Sequence, residues 1–414
     1  MQKGHFKKTF KLILGLVVVI NSFLLIQYLR TKDLGLSSSK VSFNINDVFH
    51  LVLDKRPAAF LETDSSLIVT SLDHGVLCFD KKMDSLVWKR TPKTKLIIDP
   101  SVTTNKQYLY LLEEVFSPKY KITLSKIDVQ SGQQIKQIYL PDNIEGNKDL
   151  DYHKTSQLLT AYYEDLKQMY IIDSKTLEII DSLDYNKIDS FPLVEHDEID
   201  WSHILPLAGS VYNPRQRVFL HPMHTLPIAS LSNDYFIQIH SNDNISEYAA
   251  QESIIEIGTI QDTSILMSEP YDLGEIDADQ IQKIAMTKNN LFIEEKTPEN
   301  DHYIYKSDFP KLGNYTTKTI YSWQFGSWKA NDKGDLVVEH YDFNIDWIEG
   351  RSTHIDLGDY IIAKRYTFSD DYLLIVAENE NEGNWHCFAI SLKILRNSYT
   401  EKITIDQAPI HNLD

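Results

Sequence analysis

Cysteine is almost absent: Cys78 and Cys387 are the only two in 414 residues. A disulfide framework and a multi-cysteine zinc site both need more, so both are excluded. Glycine is scarce, at 15 residues, which excludes collagen-like chains and Gly-rich linkers. Bases are in deficit: 41 Lys and Arg face 59 Asp and Glu, a formal net charge of −18. The deficit is uneven. Residues 1–32 carry six bases (Lys3, Lys7, Lys8, Lys11, Arg30, Lys32) and no acid, leaving the remainder at 35 bases against 59 acids. A body so acidic repels phosphate backbones and has no basic stripe with interleaved aromatics, so nucleic acid is not an expected partner. A Gly-rich phosphate loop, a Gly-x-Ser-x-Gly elbow and a His-Glu-x-x-His run are all missing. No catalytic residue is signalled and no cofactor is expected.

One long apolar run is present. Residues 12–29 read LILGLVVVINSFLLIQYL, 18 positions without a charge. At ~1.5 Å per residue a helix of that length reaches ~27 Å, enough for a bilayer core. Asn21, Ser22 and Gln27 weaken the run, while Tyr28 and Arg30 suit an interfacial end. A cleaved signal peptide has the same charged start and apolar run. No small-x-small triplet follows, where the chain reads Gln27-Tyr28-Leu29-Arg30, so an uncleaved anchor is expected. Lys3, Lys7, Lys8 and Lys11 outnumber Arg30 and Lys32, which puts the N-terminus in the cytoplasm. The expected order is a basic cytoplasmic tail (1–11), a transmembrane signal-anchor helix (12–29), a linker (30–50) and an ectodomain (51–414), periplasmic or extracellular.

The body reads as strands separated by Asp/Asn/Gly/Ser turns, with no long 3.6-residue apolar period. Three early stretches share one grammar: residues 65–90, 107–140 and 156–183. Each holds a hairpin whose second strand ends in an aspartate (Asp80, Asp128, Asp173), then a turn and a further strand. The aspartates are spaced by 48 and 45 residues. That is the period of a β-propeller blade, one four-stranded sheet per repeat. Such a sheet cannot bury both faces alone, so copies stack radially and close into a ring with few exposed edges. The expected fold is all-β, a seven- or eight-bladed propeller of four-stranded antiparallel blades preceded by the one N-terminal helix. Later units diverge: NDYFIQIH from Asn233, NNLFIEEK from Asn289, GDLVVEHYDF from Gly334, and DDYLLIVAENENEGNWHCFAISL from Asp370. In the last, Cys387-Phe388 stand where Cys78-Phe79 stand in the first. Between Asp184 and Tyr235 the grammar is lost, and an insertion or an irregular blade is expected.

Cys78-Phe79-Asp80, followed by Met83-Asp84 and Trp88, resembles the small-x-Asp-x-x-Thr-Gly-x-x-x-Trp repeat of quinoprotein-like (PQQ-type) propellers, themselves WD40-like. Asp128 with Ser131-Gly132 keeps the middle of that repeat, and Asp173 with Thr176 keeps less. The resemblance implies that Asp and Thr close the turn between outer strands, and that Trp88 docks buried between blades. Quinone enzymes of that family carry adjacent cysteines, which are missing here. The resemblance therefore implies the scaffold without the cofactor, as in non-catalytic propellers that help assemble outer-membrane proteins.

Other residues invite a site. Asp272, Glu275, Asp277 and Asp279 surround Gly274, and Glu378, Glu380 and Glu382 precede Gly383; calcium takes oxygens from such loops, but the EF-hand spacing is absent and solvated turn charge is the competing reading. His221 and His224, with His196, His203 and His240 nearby, have ligand chemistry, but Pro222 denies the pair a shared helix face. Trp323, Trp328, Trp347 and Trp385 could form a binding face or pack between blades. Asn244 and Asn314 open glycosylation sequons, which matter only in a eukaryotic secretory route. The two cysteines are expected as buried, reduced thiols. Together these readings describe a membrane-anchored, extracytoplasmic scaffold that binds a protein partner. The alternative is an enzyme using the central pocket, glycoside-active or dehydrogenase-like, which paired carboxylates on the channel would mark.

Overall fold

The computed structural model describes residues 48–404, apart from 72–73, 82–84, 92–99, 117–119, 142–147, 155, 165, 195–197, 208–209, 221–229, 232–234, 242–252, 262–263, 268–270, 273–275, 277–279, 288, 310–311, 313–315, 321–324, 332–335, 341–343, 348–350, 358–359 and 398–401. The run at 12–29 lies outside the described residues; among those described, no helix is long and apolar enough to cross a membrane. The first strand, Val48–Leu53, starts inside the stretch read as linker.

The chain is all-β. Its described strands form eight sheets, six of four strands and two of five, and almost every pairing is antiparallel. In chain order, sheet 1 spans residues 57–90, sheet 2 101–139, sheet 3 148–184, sheet 4 193–220, sheet 5 230–272, sheet 6 281–320 and sheet 7 325–356. Sheet 8 takes three strands from residues 361–391 and its fourth from Val48–Leu53, which pairs with Trp385–Ser391 from Val48↔Ile390 to Leu53↔Trp385.

Middle strands such as Ser66–Ser71 and Gly75–Asp80 are buried almost throughout, because both faces of each sheet meet a neighbour. Eight apolar clusters fill the spaces between sheets, each drawn from two consecutive sheets. Ile68 and Cys78 of sheet 1 meet Leu109 and Leu111 of sheet 2. The cycle closes where Phe49 and Leu51 of sheet 8 meet Leu67 and Leu77 of sheet 1. A cycle of sheets joined face to face fits a β-propeller. The first strands of sheets 1, 2 and 3 approach one another, which places them on the inside of the ring. The fourth strands of sheets 1, 2 and 3 face solvent, where Leu86, Val87, Ile135, Tyr139 and Ile179 are exposed, whereas that of sheet 8, Val48–Leu53, is buried.

Sheet 4 is the irregular unit. Its strands have two to four residues, and its edge strand Leu193–Val194 comes from upstream and pairs parallel with Val218–Leu220. The short helical turn Trp201–His203 intervenes and buries Trp201 against Phe236 of sheet 5. Sheet 7 likewise gains a parallel edge strand, Lys402–Thr404, beside Arg351–Asp356.

Cys78 and Cys387 occupy the third strands of sheets 1 and 8 and are free thiols. Each faces the next sheet along the ring, so the whole of sheet 1 stands between them. Burial pushes the Cys78 thiol up to about 11, with the Ser66 side chain opposing, and Cys387 up to about 12. Denatured, unreduced protein will expose two reactive thiols; finding none would show a bridge that this arrangement forbids.

Candidate functional site

The turn after Asp128 is closed by its own side chain. Oδ1 accepts from the Ser131 N–H at 2.8 Å and the Ser131 hydroxyl at 2.7 Å, and these donors hold the carboxyl below its usual range. The next position needs a left-handed backbone, and Gly132 supplies it at φ +68°. Asp173 repeats the turn, accepting from the Thr176 N–H at 2.7 Å and hydroxyl at 3.0 Å, with Leu177 in the left-handed position. Burial pushes the Asp173 carboxyl up, but the Thr176 and Lys175 donors outweigh it. At Asp80 the backbone N–H donates to the Ser85 carbonyl at 3.1 Å. Two further copies went unread in the sequence. Asn213 Oδ1 accepts from the Arg215 and Gln216 N–H groups, both at 2.9 Å, and Asn379 Oδ1 from Asn381 and Glu382 at 3.0 and 3.2 Å. Both join second to third strands, so they sit at the opposite end of the ring.

Trp88 docks onto sheet 2, but it is half-buried rather than fully buried, because its strand is the outermost of sheet 1. Its indole N–H donates to the Val129 carbonyl at 2.7 Å, and its ring covers Gly132, where a Cβ would stand 2.6 Å from Cδ2. Trp88→Ala will cost about 2–3 kcal/mol, below the 3–5 of a core tryptophan. Gly132→Ala will cost about as much through backbone strain and the rigid ring. The two losses will not add, because without the indole only the strain remains. Additive losses in denaturant titrations would show that the ring does not rest on this glycine.

These turns are structural, and the chemistry gathers elsewhere. Turns between first and second strands in sheets 7, 8, 1 and 2 converge on a cavity of about 240 Å³, lined by Glu62, Thr63, Lys106, Ala330, Asn331, Phe368, Ser369 and Asp370. Short polar side chains fix the turns of sheets 1, 2 and 8. Thr63 Oγ1 accepts from the Ser66 N–H at 3.0 Å, Asn105 Oδ1 from Tyr108 at 2.7 Å, and the Ser369 hydroxyl donates to the Tyr372 carbonyl at 2.9 Å. Charges then bridge the sheets. Lys81 pairs with Glu62 and, at 3.0 Å, with Asp371; Lys106 pairs with Asp370 and lies 3.8 Å from Asp64. Burial pushes the Lys81 ammonium down, and its two carboxylate partners more than restore it. The Glu62 side chain is 4% exposed, whereas that of Asp64 is 79% exposed. The inner charges are locked and the outer ones face solvent.

The other candidates fall as follows. Asp272 ends the edge strand Tyr271–Asp272, but its side chain, with Glu275, Asp277 and Asp279, lies outside the described residues. So do the side chains of His196, His221, His224, His240, Trp323, Trp347, Asn244 and Asn314. Among the described residues no group of three His, Cys, Asp or Glu could hold a metal ion. Glu378 and Glu380 pair with Lys364 at 3.3 and 3.8 Å, and Glu382 accepts from Asn384. Trp328 is buried, and Trp385 is half-buried with Arg56 5.7 Å from its ring centre.

No protein-family model matches the sequence, and no curated protein matches it. Similar solved structures include the computationally designed Ika8 protein, at 9% identity and a TM-score of 0.46, covering 83% of this chain and 100% of that one. KlAtg21, solved in complex with the coiled coil of AgAtg16, is 11% identical with a TM-score of 0.39, covering 82% and 95%. The β-propeller domain of Myceliophteria thermophila Cps50 (Swd1) is 11% identical with a TM-score of 0.37, covering 81% and 97%. The fold assignment rests on the sheet order and the closed packing cycle.

Proposed function

We propose that the protein is an eight-bladed propeller that binds a protein partner, or helps assemble one, through the charged mouth formed by sheets 7, 8, 1 and 2. Residues 12–29 anchor it in a membrane, with the body outside the cytoplasm. The supporting observation is the mouth itself. Side chains of both signs are held at fixed positions by turn hydrogen bonds, with Asp64, Lys106 and Asp371 open to solvent. Pre-positioned charge steers encounter and sets register between proteins. Asp64→Lys and Lys106→Glu will each change stability by about 1 kcal/mol or less, as exposed ion pairs do. Each will abolish the partner adduct seen when the wild-type protein is crosslinked in its membrane. An undiminished adduct in both variants would place the partner elsewhere. The cavity, with Glu62 and Asp370 on its wall, also supports a central-pocket enzyme. That reading is weaker, since Lys81 and the Asp371 N–H engage Glu62 and Lys106 engages Asp370. Robust hydrolase or redox turnover by the purified protein would reverse the order.

A further inference from the structure

Sheet 2 ends in an open edge. Its four strands run in order from Ser101–Thr104 out to Gln134–Tyr139, and among the described residues no strand pairs with the outer side of Gln134–Tyr139. The N–H and C=O groups on that side can template a further strand. Other sheets of this ring already take their outermost strand from a distant part of the chain. Leu193–Val194 adds parallel to sheet 4, and Lys402–Thr404 adds parallel to sheet 7.

The side chains along this edge are apolar and basic. Ile135 is 57% exposed and Tyr139 61%, and Leu86 and Val87 are exposed on the adjoining outer strand of sheet 1, Leu86–Arg90. Arg90 ties the two outer strands together, donating to Gln134 Oε1 at 3.3 Å while it pairs with Glu113 at 3.0 Å. These strands read LVWKR and QIKQIY, with Lys89, Arg90 and Lys136 and no acid, in a body of 35 bases against 59 acids. Lys136 lies opposite Lys126 and Tyr139 opposite Thr123, three positions apart, so the two point to opposite faces of the sheet. The Lys121 ammonium sits 4.6 Å from the Tyr139 ring centre, and Lys136 donates to the Thr176 carbonyl of sheet 3. The edge strand thus has a lysine on each face, and neither meets a carboxylate among the described residues.

Lysine on an edge strand also guards it against pairing with copies of itself. Guarding does not explain why Ile135, Tyr139, Leu86 and Val87 leave apolar surface in water at the same place. A second copy of this edge would set lysine against lysine, so the charge selects a partner of opposite sign. We propose that this edge binds an extended, acidic segment of another protein, which adds to sheet 2 as a fifth strand beside Gln134–Tyr139. Backbone hydrogen bonds supply affinity, apolar side chains of the segment cover Ile135 and Tyr139, and its carboxylates meet Lys121 and Lys136. The site lies on the outer wall of the ring and does not depend on the mouth.

Three synthetic peptides, EVEITVE, KVKITVK and EVEPTVE, test this on the full-length protein, each carrying a photo-reactive phenylalanine at one end. Irradiation should attach EVEITVE within residues 134–139, as located by mass spectrometry of the digest. In fluorescence anisotropy at low salt the other two should bind about 10-fold more weakly, because one reverses the charge and the other cannot complete the ladder. Lys136→Gln should weaken EVEITVE about 3-fold and Lys136→Glu about 5-fold or more, and Lys121→Gln should match Lys136→Gln. If the lysines only guard the edge, Lys136→Gln will self-associate in sedimentation and hold EVEITVE as tightly as the wild type, which would overturn the proposal. Attachment outside residues 134–139, no attachment, or equal affinity for the three peptides would overturn it as well.

Discussion

Removing residues 1–53 will lower the unfolding free energy by about 6 kcal/mol or more, whereas removing residues 1–32 will leave it unchanged. Four apolar side chains of the closing strand (Val48, Phe49, Leu51 and Leu53) are buried, and Phe49 and Leu51 are fully so. At about 1.5–3 kcal/mol for each, their burial is comparable to the whole stability of a typical domain. The deletion also bares the edge of Trp385–Ser391, whose N–H and C=O groups then lack partners and template aggregation. Urea titration of both truncations checks this. Equal midpoints would mean that the ring closes without Val48–Leu53.

Trp328→Ala will be the most damaging single substitution tested, at about 5 kcal/mol. The side chain is 2% exposed and fills the space between sheets 6 and 7 beside Phe292. Its indole N–H donates to Glu294 Oε2 at 2.6 Å, and the Lys283 ammonium lies 4.1 Å from its ring centre. Losing a core tryptophan costs about 3–5 kcal/mol, and stranding a buried carboxylate oxygen adds about 1–3. His302 holds the other Glu294 oxygen at 2.7 Å, so the carboxylate cannot turn away to find a new donor. Trp328→Phe keeps most of the packing and will cost about 2 kcal/mol, mostly the hydrogen bond. A loss below about 1 kcal/mol for Trp328→Ala would show that this space collapses freely.

The repeat was legible where the chemistry is local. A tight turn after a strand needs a side-chain acceptor and a left-handed residue, and Asp128 with Gly132 displays both within five positions. Asn213 and Asn379 escaped because asparagine replaces aspartate; after Asn213 the left-handed position is also held by Arg217 rather than glycine, whereas Gly383 holds it after Asn379. The loss of pattern after Asp184 was legible too, but not its cause, an edge strand that precedes its sheet and pairs parallel. Ring closure was illegible, since Val48–Leu53 lies more than 330 residues from its partner and carries no turn signal of its own. The mouth was half-legible. Asp370 and Asp371 stood out as a strand start, yet nothing local says that turns from four sheets meet at one cavity.

The central claim is that a protein partner docks at that mouth. A photo-reactive amino acid placed at position 64, which is 79% exposed at the rim, tests it in the cells that express the protein. A second chain carries it at position 382, in the turn at the opposite end of the ring. The account predicts a discrete adduct from position 64, lost on adding Lys106→Glu, and none from position 382. An adduct from position 382 alone, or none from either, would contradict it.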